Sequence, residues 1–234
     1  LIHTLVSSNN LNLLMKPIKI IALVRSLEKA QRVLKEDYDF IECVVGDVEK
    51  RISISEQVDY IIHAASQTSS KAFIERPIST INTAIIGTTN ILELAREKKV
   101  KKVVYLSTME VYGSPSTDEK INEKHGTNID QMLVRSCYPE SKRVCENLCV
   151  AYMKEYDIPV NVVRLTQTFG RGVDYNDGRV FAEFARCVIE KRDIVLHTKG
   201  ETRRNYLYTQ DAVNAILTVL IKGKNGEAYN AANE

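Results

Sequence analysis

Tyr138 and Lys142 stand four positions apart in the run Tyr138-Pro-Glu-Ser-Lys142, and four residues make about one helical turn, so the phenol and the ammonium share one helix face. A cation beside a phenol favours the phenolate. A phenol whose ordinary pKa is ~10 then serves as a base near neutral pH, taking a hydroxyl proton while hydride leaves the same carbon. The run lies one helix-length after an apolar segment at 102–107 and the polar turn Thr108-Met109-Glu110. A hydroxyl and a carboxylate thus stand at a strand end ahead of the Tyr-Lys helix, as a redox site working on an alcohol requires.

The elements that position these groups follow from the hydrophobic pattern. Largely apolar runs at 18–24, 40–45, 60–64, 103–106 and 160–165 suit strands buried on both faces. Helical spacing fills 27–35, 79–98, 139–156 and 179–191, with Asn82 and Gly87 as small or polar interruptions in the second stretch. This alternation predicts an α/β protein with a doubly wound parallel sheet, whose ligands gather at the carboxyl ends of the strands. At the start, Leu1, Ile2, Leu5 and Val6 form a helical apolar stripe that Ser7-Ser8-Asn9-Asn10 is expected to break. The longest irregular stretch, 114–136, carries Asp118, Glu119, Glu123 and Asp130 and reads as a substrate-side loop with solvated acids.

Composition narrows the function classes. The 234 residues are 44% hydrophobic and 26% charged, with 32 basic and 30 acidic side chains, and no basic, aromatic-rich tract points to nucleic acid. No apolar run is long enough to span a bilayer. Five cysteines without paired spacing fit a reducing compartment such as the cytoplasm rather than a disulfide framework. Cys145 and Cys149 sit one turn apart on the Tyr-Lys helix and are expected to pack in its core. His3, His63, His125 and His197 are scattered, so no metal site is expected.

Several segments together resemble the extended short-chain dehydrogenases, and among them the NAD-dependent epimerases and dehydratases of nucleotide sugars. They are, in order, Gly46-Asp47-Val48, His63-Ala64-Ala65-Ser66, Asn82 with Gly87-Thr88, Ser107 through Gly113, the Tyr138 to Lys142 run, Arg164 through Gly170, and Arg204 through Asp211. The resemblance implies a Rossmann fold in which Tyr138 takes a proton from a sugar hydroxyl, hydride passes to nicotinamide, and the keto sugar activates its neighbouring carbons before hydride returns. It implies that Thr108 holds the reacting oxygen, and that Lys142 binds the nicotinamide ribose and lowers the Tyr138 pKa. Glu110 is the carboxylate left for a proton at a neighbouring carbon. Asn176 through Val180 and Tyr138 through Arg143 are similar to UDP-glucuronate decarboxylases. Met109 stands where hexose 4,6-dehydratases carry an acid, and a thioether moves no proton, which disfavours ordinary 4,6-dehydration. A stand-alone NADPH-dependent reductase and a non-catalytic dinucleotide-binding regulator are the alternative classes.

The same resemblance assigns the ligand contacts. Arg25 and Ser26 end the first apolar run where relatives place an acid for the NAD ribose, and a cation with a hydroxyl favours NADP over NAD. Asp47 and Val48 would lie beside the adenine, Ala64, Ala65 and Ser66 beneath the dinucleotide, and Asn82 near them. Gln167, where relatives have Asn, and the forked guanidinium groups of Arg179 and Arg204 are candidates for the substrate and its diphosphate. The chain opens without a Met, mid-helix, and without the family's first strand and glycine-rich loop. Residues 228–234 read as a strand that relatives follow with a substrate lobe. The expected organisation is a dinucleotide-binding domain over 1–170, with 171–234 adding part of the substrate lobe and a returning strand and helix. The long helices beginning near Ser79 and Tyr138 suggest, by analogy, a homodimer.

Overall fold

Seven α-helices and eight strands are present in a computed structural model that describes residues 1–114, 119–196, 199–200 and 203–233. Asp118 and His197, both noted in the sequence, lie outside the described residues. The central sheet has four strands, β3 (Tyr60–His63), β4 (Lys102–Thr108), β5 (Val160–Leu165) and β8 (Ala228–Ala231), in that order and all parallel. Two shorter parallel ladders accompany it. One joins β1 (Ile20–Val24) to β2 (Ile41–Val45), and the other joins β6 (Gln167–Phe169) to β7 (Tyr206–Tyr208). Among the described residues no strand pairing links β1 to β3, so the parallel ladder is interrupted there.

Strand alternation explains why the sheet carries helices on both faces. On β4, Val103 and Tyr105 point into one core with Val160 and Val162 of β5, against α4 (Pro77–Lys98) and α5 (Cys137–Tyr156). Val104 of β4 and Val163 of β5 point the opposite way, into a second core with Ala212, Ile216 and Leu220 of α7 (Thr209–Lys222). A strand buried on both faces is apolar at most positions, which is why these runs stood out, and the exceptions on β5, Asn161 and Arg164, are hydrogen-bonded to the Lys224 carbonyl and Glu146. Gly87 of α4 is needed at the first core, because a Cβ there would meet Val48 Cγ2 at 2.9 Å. Cys145 and Cys149 are wholly buried between α5 and α4, as packing residues.

Some expectations give way. The polar break at Ser7 to Asn10 is absent, since α1 (Ile2–Asn10) runs through it. The Ser8 hydroxyl bonds back to the Thr4 carbonyl at 2.8 Å, and the Asn9 amide exchanges two hydrogen bonds with the Ile18 backbone, so these polar groups tie the helix down. The acids of the irregular stretch are not merely solvated. Glu123 accepts a hydrogen bond from the Asn230 amide of β8 at 2.8 Å, and the Asp130 side chain accepts from Met132 N at 2.9 Å. Three elements had no counterpart in the sequence reading, namely α3 (Ser70–Glu75) and the β6–β7 ladder. They are too short for periodicity to register. Two more helices, α2 (Leu27–Leu34) and α6 (Val180–Glu190), begin and end within a residue of expectation.

Candidate active site

Because the strands run parallel, their carboxyl ends share one end of the sheet, and the expected site residues lie along it. Thr108 closes β4 and caps the 3₁₀ turn Met109–Tyr112, its hydroxyl accepting from Glu110 N at 3.3 Å. Glu110 Oε2 accepts from Arg135 Nη2 at 2.8 Å. Tyr138, one helical position into α5, is buried and stacks on Phe73 of α3 with ring centroids 4.3 Å apart and planes 10° from parallel. The Arg135 guanidinium lies over the same Phe73 ring, 4.6 Å from its centroid. Thr108, Glu110 and Tyr138 are therefore gathered as expected, with Arg135 and Phe73 added to them.

Lys142 occupies the same helix face one turn on, but it turns inward. Its ammonium is almost fully buried, donates to the Leu106 carbonyl at 2.8 Å and sits 4.7 Å from the centroid of the Tyr105 ring. Burial pushes its pKa down to about 8. The depression of the Tyr138 pKa expected from Lys142 is not found. Burial pushes Tyr138 up to about 12, the Glu110 charge adds to this, and the opposing groups are the Thr108 hydroxyl and the Arg135 cation. The physical reason is that a phenolate in an apolar pocket loses its hydration, while Lys142 points at a backbone carbonyl instead. His63, buried beneath and 3.1 Å from the Thr88 hydroxyl, is held neutral by burial, with a pKa of about 3.

A second network stiffens the site from behind. Arg164 of β5 grips Glu146 of α5 through two hydrogen bonds of 3.0 and 2.6 Å, and it also donates to the Tyr112 hydroxyl at 2.8 Å. Ser107 donates to the same Glu146 carboxylate at 2.5 Å, and the Tyr112 hydroxyl reaches Asn230 of β8 at 2.7 Å. β4, the 3₁₀ turn after it, α5 and β5 are locked together by charge-assisted bonds, and the neutral Tyr112–Asn230 bond adds β8. Glu146 lies four residues beyond Lys142, a repeat of the helical spacing that could have drawn attention to it.

The expected cofactor contacts lie on the other ladder and after β3. Val24 of β1 pairs opposite Val45 of β2, which sets Arg25 and Ser26 beside Gly46 and Asp47. Arg25 is exposed, whereas the Ser26 hydroxyl caps α2 by accepting from Lys29 N at 3.2 Å. Asp47 accepts from Glu49 N at 3.0 Å as a turn residue, and Val48 is buried against α4, its carbonyl held by Asn90 at 2.7 Å. Ala64 and Ala65 are exposed beyond β3, Ser66 is half-buried, and Asn82 is half-buried on α4. Small exposed side chains, an exposed cation and a half-buried carboxylate at adjacent strand ends suit the adenosine half of a dinucleotide.

The expected substrate contacts converge on the β6–β7 ladder. Gln167 pairs opposite Tyr206, two residues after the exposed Arg204, and Arg179 donates to the Thr168 carbonyl at 3.1 Å. Arg179 is already matched by Asp177 at 2.6 Å and lies over Phe181, 4.7 Å from the ring centroid. Arg204 donates to the neighbouring Arg203 carbonyl at 2.9 Å and has no such carboxylate among the described residues. Gly170 needs its freedom here, with φ +130° and a missing Cβ that would lie 2.6 Å from the Tyr208 ring.

The core is parallel α/β, with Thr108, Glu110 and Tyr138 gathered at one strand end and the Lys142 ammonium buried behind them. The sequence matches the NAD dependent epimerase/dehydratase family over residues 5–232, and the chain belongs to that family. It is 34% identical to the UDP-glucuronic acid decarboxylase 1 of Xenopus tropicalis over 183 residues, covering 78% of this chain and 42% of the relative. It is 33% identical to the human dTDP-D-glucose 4,6-dehydratase over 201 residues, covering 84% and 54% respectively. The chain thus spans about half the length of these curated relatives. In fold it matches a dTDP-glucose 4,6-dehydratase from Streptomyces venezuelae solved with NAD bound, at TM-score 0.80 and 21% identity over 98% of this chain and 71% of that one. The UDP-glucose 4-epimerase of Thermotoga maritima, solved with UDP-glucose, matches at TM-score 0.81 and 20% identity over 100% and 74%.

Proposed function

We propose that this chain carries the redox centre of a nucleotide-sugar enzyme that works through a transient keto sugar. The gathering of Thr108, Glu110 and Tyr138 at the end of β4 is the observation that carries the reading. Tyr138 Oη takes the proton of a sugar hydroxyl, Thr108 Oγ1 holds the oxygen that becomes the ketone, and Glu110 handles the proton at the adjacent carbon. When bound, a nicotinamide dinucleotide supplies the reversible two-electron acceptor for this oxidation. Arg25, Asp47, Ala64, Ala65 and Asn82 hold its adenosine half, with Arg25 turning the preference toward NADP, and Lys142 is the ammonium nearest the reacting end. Gln167 and Arg204 take the substrate's diphosphate and sugar, while Arg179 serves mainly through its Asp177 pair. The apolar Ile86 on α4 and Val144 on α5 face solvent and form the surface through which two copies pair.

Decarboxylation of a nucleotide uronic acid is the variant of this chemistry favoured by Met109. The side chain has no proton to give for expelling a hydroxyl, and loss of carbon dioxide next to a ketone needs none. The test is incubation of the protein with NAD or NADP and either UDP-glucuronate or UDP-glucose, followed by product analysis. Release of carbon dioxide and a pentose product from UDP-glucuronate, lost in Tyr138→Phe, is expected. Full turnover by Tyr138→Phe would sink the assignment of the base.

A further inference from the structure

The cation that faces Tyr138 in this structure is the wrong one for the expected scheme. Lys142 is committed to the Leu106 carbonyl, and Arg135, three residues before Tyr138 in the 3₁₀ turn Val134–Ser136, holds the position instead. Arg135 makes two contacts that matter. It pairs with Glu110 at 2.8 Å, and it lies over the Phe73 ring that stacks on Tyr138. Without a partner, the Glu110 carboxylate would oppose loss of the Tyr138 proton, since two negative charges close together disfavour each other.

We propose that Arg135 is the positioning residue of the redox step. It clamps Glu110, braces the Tyr138 ring through Phe73, and offsets the carboxylate charge so that the phenol can give up its proton. The inference rests on the functional reading above. The groups facing Tyr138 are Thr108 at the end of β4, Glu110 in the turn after it, Tyr105 from within β4, Phe73 from α3, and Arg135 in the 3₁₀ turn before α5, while Lys142 lies one turn further along α5 and points to the Leu106 carbonyl. Of these, Glu110 raises the Tyr138 pKa and Arg135 lowers it, beside the larger effect of burial. Arg135 and Glu110 are each more than a third exposed, so the offset is screened and modest.

The test replaces Tyr138 with a difluorotyrosine, whose phenol ionises at lower pH, and follows that single side chain by fluorine NMR as the purified chain is titrated. Arg135→Gln is expected to raise the ionisation midpoint by about 0.5 pH unit, a roughly threefold fall in the ionisation constant. Glu110→Gln should lower it, the double variant should return close to the parent, and Arg135→Lys should stay close to it throughout. An unmoved midpoint in Arg135→Gln overturns the proposal. So does a double variant that keeps the whole shift, because packing rather than charge would then be responsible. The titration needs neither substrate nor dinucleotide. If the midpoints behave as expected while no nucleotide sugar is turned over, the charge clamp stands and the functional reading alone fails. Where turnover is measurable, the acid limb of kcat in Arg135→Gln should move up by the same interval, with KM held.

Discussion

The two ends of this molecule are built to different standards of rigidity. The Tyr138 end rests on a four-stranded sheet with a packed core on each face, and the Arg164, Glu146, Tyr112 and Asn230 network ties β5, α5 and β8 behind it. The Arg25 and Asp47 end rests on the two-stranded β1–β2 ladder, and its side chains are exposed or occupied with local turns and caps. Proton transfer needs heavy atoms held within a few tenths of an ångström, while binding an adenosine tolerates looser groups closing around it. The difference fits the largely buried Arg164–Glu146 pair at the first end, whereas the pairs of Lys19 with Glu42 and Glu56 at the second lie at the surface.

The largest expected effect breaks the Tyr138 end outright. Tyr138→Phe removes the proposed base and should cut turnover by roughly 10³-fold, the range of general base catalysis, while the melting temperature hardly moves. Steady-state rates alongside thermal melts check it. Arg164→Met leaves the Glu146 carboxylate buried without its cation, since the two side chains are only 14% and 13% exposed. A loss of roughly 3 kcal/mol is expected in denaturant unfolding.

Lys142→Met sharpens the comparison from the opposite direction, by exchanging function for stability. The Lys142 pKa falls from 10.5 unfolded to about 8 folded, so below pH ~8 the folded protein carries a buried charge that the unfolded chain holds at no cost. The unfolded state then binds the extra proton between about pH 8 and 10.4, and this group's destabilisation fades across that window. Removing it should stabilise the protein at pH 7 by about 2 kcal/mol, after allowing ~1 kcal/mol for the lost Leu106 hydrogen bond. The advantage over wild type should shrink as pH rises past 8. Comparing the variant with wild type matters, because the raised pKa values of Tyr138 and Cys149 make the whole protein lose stability at alkaline pH. The smallest effect concerns the seam between the two ends. Gly87→Ala would press α4 against Val48, the residue after Asp47, and should cost about 1–2 kcal/mol in urea unfolding.

Much of this was legible in the sequence, for reasons that differ by residue. The β4 strand showed at 103–106 because burial on both faces favours an unbroken apolar run. The site core of Thr108, Glu110 and Tyr138 showed because each stands at a strand end or a helix start, where local spacing fixes position. What stayed hidden depends on contacts between distant segments. Phe73 meets Tyr138 across 65 positions, and nothing in its own neighbourhood announces that. The inward turn of Lys142 is decided by the Leu106 carbonyl and the Tyr105 ring, which periodicity does not report. Arg135 had a signal, a cation one helical turn before the phenol, which the Lys142 pairing eclipsed.

The most direct test of the keto-sugar account is a single-turnover experiment that follows the near-ultraviolet absorbance of the reduced nicotinamide when the protein, loaded with NAD or NADP, meets UDP-glucuronate. The account predicts a rise that decays as product forms, and no rise in Tyr138→Phe. A loaded protein that forms product with no rise under any mixing condition, or whose Tyr138→Phe variant gives the same rise, would contradict it.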